Sequence, residues 1–277
     1  MNAMPQAVAQ AYLEACLLEL QALKPGNVHT FADGHGMTVQ DFIRSADASS
    51  QVIAQPGLSL GQRILQSVQA TQSVVACNTN LGIVLLCAPV VQAGLMQNND
   101  ALRANIHAVI QASDLSDAEA CFAAIRLANP GGLGESAQHD VREPAKVTLL
   151  EAMRAAQDRD LIARQYATDF AVVIEGAKFY QQMRLTHNDA WSATALYLDI
   201  LSQWPDSHII RKQGQALALE VQAEAAQQLA QLLALDNPKL AQKSLLAWDK
   251  ALKGRGINPG TSADLTVAAI FTAMLIA

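Results

Sequence analysis

Five short segments hold most of the side chains able to do chemistry. Residues 22–37 place Lys24, His29, Asp33 and His35 in a stretch punctuated by glycines. Such a set offers a cation for phosphate, a carboxylate for a metal or a proton, and histidines that exchange protons near neutral pH. Residues 77–82 carry Asn78, Thr79 and Asn80 between two apolar runs. A helix cap needs one of these; three adjacent polar side chains in apolar surroundings call for partners or a ligand. Gly131, Gly132 and Gly134 are followed by Glu135, His139 and Asp140. Their N–H groups could cradle phosphate, yet the lysine and Ser/Thr of a P-loop are missing, so a plain helix connector fits equally well. Residues 204–214 bring Asp206, His208, Arg211 and Lys212 to what reads as the opening of a helix, with Asp206 or Ser207 as its cap. Cations there oppose the helix dipole, which points to an anionic ligand between them. Residues 254–265 add Arg255, Asn258, Ser262 and Asp264 ahead of a wholly apolar segment. A cap accounts for Thr261 or Ser262 and leaves the other three unexplained.

The elements that must position these groups read as helices. Ala, Leu and Gln recur at helical spacing over 7–23, 39–53, 60–75, 81–94, 100–113, 114–128, 145–158, 161–183, 189–204, 209–235, 238–252 and 263–276, and hardly any stretch alternates as a strand does. The expectation is an all-α fold, a single compact array of about a dozen helices forming one domain over 1–277. Pro-Gly pairs at Pro25, Pro56, Pro130 and Pro259 mark turns between them.

Composition narrows the function classes. The 277 residues include fifty alanines, are 51% hydrophobic and only 16% charged, and carry a formal charge of -6. That balance supports a large buried core and argues against nucleic acid, which needs a basic face. Between Ala48 and Asn99 the sole charged residue is Arg63. The apolar run 81–96 is shorter than the ~20 residues of a membrane span and contains Pro89, so no membrane segment is expected. No Lys or Arg precedes Lys24, as a basic leader would require. Cys16, Cys77, Cys87 and Cys121 form no CxxC pair and sit among aliphatic residues, as core thiols of a reducing compartment do. A soluble, cytoplasmic protein is expected.

Taken together, the motifs resemble the triphosphoribosyl-dephospho-CoA synthase family, an all-helical group. The resemblance runs along nearly the whole chain. It rests on an ordered set: Lys24-Pro-Gly-Asn-Val, Gly34-His-Gly-Met37 with Phe42 and Ser45, Asn78-Thr-Asn-Leu-Gly82, Pro205-Asp-Ser-His208 and Asn258-Pro-Gly-Thr-Ser-Ala-Asp264. It implies a transferase in which the ribose C1′ of ATP leaves adenine and joins a hydroxyl of 3′-dephospho-CoA, keeping its triphosphate. Such a site needs cations or Mg²⁺ on the triphosphate, a carboxylate near C1′ and a base for the hydroxyl. The implied nucleotide and phosphate set is Lys24, Gly26, Asn78, Thr79, Asn80, Gly131, Gly132, Arg211, Lys212 and Ser262. Asp33, Asp206 and Asp264 are the carboxylate candidates, also for Mg²⁺ carried by the triphosphate, and His35 or His208 is the base. The expected partners are ATP and a small-molecule acceptor, without nucleic acid or membrane, and with a homodimer as a compatible assembly.

The sequence departs from the family pattern in three places. Members serving citrate lyase usually read Val-Asn-Thr-His-Lys-Gly where this chain has Cys77-Asn-Thr-Asn-Leu-Gly82. A His-x-Asp-Met pattern becomes His35-Gly-Met37, and Asp-Thr-Asn…Arg-Gly-Gly becomes Asp206-Ser-His-Ile-Ile-Arg-Lys-Gln-Gly214. These differences resemble a divergent branch of archaea and methylotrophic bacteria, and imply that the acceptor could instead be a methanopterin precursor. Two other classes compete. One is a helical metal phosphohydrolase drawing on His107, His139, Asp140 and Asp264; the other is a non-catalytic nucleotide-binding protein.

Overall fold

A computed structural model describes residues 5–96, 101–131 and 138–276. Among them are fourteen α-helices, one 3₁₀ turn and no β-strand, so the fold is all-α. The chain divides into two compact units: Met1–Glu14, Asp41–Ala171 and Met274–Ala277 form the first, Ala15–Gln40 and Val172–Ala273 the second. No described helix is long and apolar enough to cross a membrane.

In the first unit, α4 (Leu81–Gly94) is buried on nearly every side, as a central helix must be. Pro89 lies inside it and cannot donate to the carbonyl of Leu85 four residues earlier. The buried hydroxyl of Tyr166 donates to that carbonyl at 2.6 Å, so the lost backbone bond is replaced. Around α4 pack α3 (Leu60–Gln72), α5 (Leu102–Gln111), α6 (Leu115–Ala128) and α8 (Leu161–Ala167). Ser59 and Asp114 start α3 and α6 with reciprocal capping boxes. Arg63, the isolated charge of the sequence, is 2% exposed. Its guanidinium donates to the carbonyls of Ile53, Gln55 and Leu58, where α2 (Val39–Ile53) ends. A cation is stabilised at that negative helix terminus without a carboxylate.

The second unit centres on α10 (Asp189–Gln203), α12 (Gln215–Leu233), α13 (Gln242–Gly254) and α14 (Gly260–Leu275). Its core includes Leu198, Leu201, Val221, Leu245 and Ile257. Two long helical segments of the sequence are each broken in two. The expected helix 161–183 stops at Ala167 and resumes at α9 (Ala171–Met183), because Asp169 and Phe170 adopt φ of 52° and 58°. The expected helix 209–235 becomes α11 (Ser207–Gln213) and α12, divided at Gly214 with φ of 96°. Arg211 and Lys212 therefore lie in the last turn of a seven-residue helix, not at the start of a long one. There they complement the dipole, so the dipole argument for an anion between them no longer applies.

Candidate active site

The Lys24-Pro-Gly-Asn loop after α1 (Pro5–Gln21) is tied down at every residue. Lys24, fully buried, donates to Glu19 and, at 3.0 Å, to Asn27 Oδ1. The Pro25 carbonyl accepts from the Tyr197 hydroxyl at 2.7 Å. The Gly26 N–H donates to Asp249 Oδ1 at 2.8 Å, while the Gly26 carbonyl accepts from His35 Nε2 at 2.7 Å. Asn27 donates to Asn258 Oδ1 at 2.8 Å, joining this loop to the one before α14. Gly26 cannot be replaced freely: its φ is 86°, and a Cβ there would lie 2.7 Å from Pro259 Cδ.

Asp206 and Asp264 have opposite surroundings. Asp206 is fully buried and accepts four hydrogen bonds, from the N–H groups of His208 and Ile209 and from the N–H and hydroxyl of Ser262. It caps α11 and fastens it to the start of α14. Burial outweighs these bonds and raises its pKa. Asp264, one helical turn into α14, is half-buried, and its carboxyl accepts no hydrogen bond from a described residue. Burial foremost, then the charges of Glu19 and Asp206, hold its carboxyl well above the usual range; Lys24 and Arg211 oppose this only in part. Burial likewise raises Glu19 and lowers Lys24, each against the pull of its partner.

His208 and His35 lie close enough to interact by charge. Burial foremost, then the charges of Arg211, Lys212 and His35, pushes His208 down to about 3, so its ring is neutral at physiological pH. Its Nε2 is buried without a partner. His35 is exposed, with φ of 57° between Gly34 and Gly36. A carbonyl only accepts, so the bond to Gly26 places a proton of His35 on Nε2, and in the neutral ring Nδ1 then carries the lone pair.

The remaining expected residues are placed as follows. Asp33 is exposed, and its Oδ1 accepts the Val39 N–H at 2.8 Å, capping α2. Among the described residues no three His, Cys, Asp or Glu side chains form a group that could hold a metal ion, so Asp33, Asp206 and Asp264 are not one. In the first unit, Asn78 accepts the Leu81 N–H, Thr79 bonds Ser45, and Asn80 donates to Ser49. Gly131 follows α6 in a turn, and Gly132 lies outside the described residues. His107 is bonded to Asp169 at 2.9 Å, and Asp140 to Arg142.

Sequence reasoning overlooked Glu19 and Asp249. Both are acids only 3% exposed on otherwise ordinary helices, Glu19 in α1 and Asp249 in α13. The signal available for Glu19 was its position as the lone acid in Cys16-Leu-Leu-Glu-Leu20.

The second unit of this all-helical fold thus gathers a carboxyl of raised pKa, the neutral ring of His208 and several cations. The chain belongs to the CitG family, ATP:dephospho-CoA triphosphoribosyl transferase, whose pattern matches residues 5–277. It is thus a transferase of the triphosphoribosyl-dephospho-CoA synthase type. A crystal structure from Archaeoglobus fulgidus, provisionally assigned as a triphosphoribosyl-dephospho-CoA synthase, is similar at a TM-score of 0.63 and 25% identity. The similarity covers 85% of this chain and 97% of that one. No curated protein sequence matches.

Proposed function

We propose that the second unit performs ribosyl transfer from ATP to dephospho-CoA with Asp264 as the acid and His35 as the base. The observation carrying this reading is the half-buried Asp264 carboxyl, which accepts no hydrogen bond from a described residue and whose pKa burial raises well above the ordinary range. The C1′–N9 bond of ATP breaks with its electron pair on adenine, and Asp264 gives its proton to the departing base. The ionised carboxylate then stabilises the oxocarbenium-like C1′. A new C1′–O bond forms as the acceptor hydroxyl gives its proton to His35 Nδ1. Arg211 and Lys212 meet the triphosphate, with Mg²⁺ entering as part of the substrate. Lys24, whose ammonium faces Glu19 and Asn27, acts on Asp264 by its charge. The setting is cytoplasmic, in keeping with the aliphatic neighbours of Cys16, Cys77, Cys87 and Cys121 and their lack of CxxC spacing.

The test is adenine release from Mg-ATP with dephospho-CoA. Asp264→Asn is expected to lower kcat by ~10²-fold or more, since proton transfer contributes on that order. Full activity in that variant would sink the assignment. The changed loop at 77–82 favours running the same assay with a methanopterin precursor, where adenine release without dephospho-CoA turnover reassigns the acceptor and keeps the chemistry.

A further inference from the structure

We propose that Asp249 is a positioning residue of the transfer site: acting through Gly26, it fixes the ring of His35 so that Nδ1 is the proton acceptor. This rests on the reading of His35 as the base. Gly26 is held from both sides, its N–H by Asp249 Oδ1 at 2.8 Å and its carbonyl by His35 Nε2 at 2.7 Å. With φ of 86° at Gly26, the direction of that carbonyl depends on where its N–H is anchored. Asp249 also fixes the turn that carries His35. Its Oδ1 lies 3.3 Å from His29 Nε2 and 3.0 Å from Lys253 Nζ. His29 Nδ1 accepts the Phe31 N–H at 3.3 Å, and its buried Nε2 lies beside that carboxylate without a hydrogen bond to it. Lys253 in turn donates to the Ala32 carbonyl at 3.1 Å, and its stem lies 3.0 Å from where a Cβ on Gly34 would be. Lys253 thus links this buried carboxylate to the His29–Ala32 bridge, and His35 sits at the tip of the Gly34–Met37 bridge that follows. The contacts from His29, the Gly26 N–H and Lys253 outweigh burial and keep Asp249 ionised.

A double-variant cycle with chemical rescue tests the assignment. His35→Gly suits the φ of 57° at that position and is expected to lose ~10²-fold in kcat, partly restored by added imidazole. Asp249→Asn alone is expected to lose ~10–100-fold in kcat, the range for groups that orient a functional histidine. Its KM for ATP should stay within about threefold, because positioning acts on the chemical step. On the His35→Gly background, Asp249→Asn should cost less than about twofold further, since the two act as one unit. The full Asp249 loss reappearing on that background overturns the proposal.

A second measurement needs neither turnover nor a folded variant: ¹⁵N shifts of His35 in the wild-type protein at a pH where the ring is neutral. The assignment requires a proton on Nε2, and a proton on Nδ1 overturns it. The two readings can thus fail separately. A protein that fixes the Nε2 tautomer but releases no adenine keeps the positioning role and loses the proposed function.

Discussion

Three aspartates that look alike in sequence are separated by their partners. Asp33 caps a helix, Asp206 accepts four hydrogen bonds, and the Asp264 carboxyl accepts none from a described residue. The difference has a measurable consequence for stability. In the unfolded chain Asp264 ionises at its ordinary value of about 4, whereas the native state retains the proton to higher pH. The native state therefore binds more protons across that interval, and the contribution of Asp264 to stability falls as pH rises through it. Asp264→Asn removes the titration and keeps the shape. Its Tm should match the wild type near pH 4 and exceed it increasingly toward pH 8, by about 2–4 °C for each kcal/mol relieved. An unchanged Tm difference across that range would show that the carboxyl titrates normally. The motif residues Lys24, Asp206, His208 and Asp264 were all legible in the sequence as candidates. Glu19 and Asp249 were not, because an acid on a helix usually faces water and only the packing reveals that these two do not.

At the scale of the element, hydrophobic periodicity was a sound guide where burial is one-sided or complete. The bounds 39–53 and 81–94 agree with α2 and α4 at both ends. It failed where a local backbone turn interrupts an uninterrupted pattern, at 168–170 and at Gly214. Asp169 and Phe170 carry no sequence signal for positive φ; Gly214 did, but a glycine inside a helical pattern is commonly tolerated. Pro89 shows the opposite case, a breaker that does not break. Helix α4 continues through it because Tyr166 supplies the missing donor to Leu85. Tyr166→Phe leaves that carbonyl buried and unsatisfied while hardly changing the packing. The expected cost is ~1–3 kcal/mol, read from urea unfolding at constant m. A loss below ~0.5 kcal/mol would mean that α4 tolerates the proline without the hydroxyl.

For the molecule as a whole, the all-α class followed from composition and spacing, but the division into two units did not. Each unit is assembled from separated stretches of chain with the same Ala- and Leu-rich character, so no linker or change in composition marks it. The division matters because Asp264, His35, His208, Arg211, Lys212 and Asp249 all belong to the second unit, whereas Asn78, Thr79 and Asn80 belong to the first. If the triphosphate and ribose engage the groups assigned to them, Mg-ATP should slow amide exchange at 24–37, 206–213 and 258–264. At about a hundredfold excess over Kd, ligand binding stabilises the bound state by ~2.7 kcal/mol, or ~10²-fold slower exchange for amides that open only in the free protein. Residues 77–82 serve as the comparison, since their side chains bond Ser45, Ser49 and Leu81 within the first unit. Protection at 77–82 with none in the three segments would move the nucleotide site out of the second unit and leave Asp264 without a substrate to protonate.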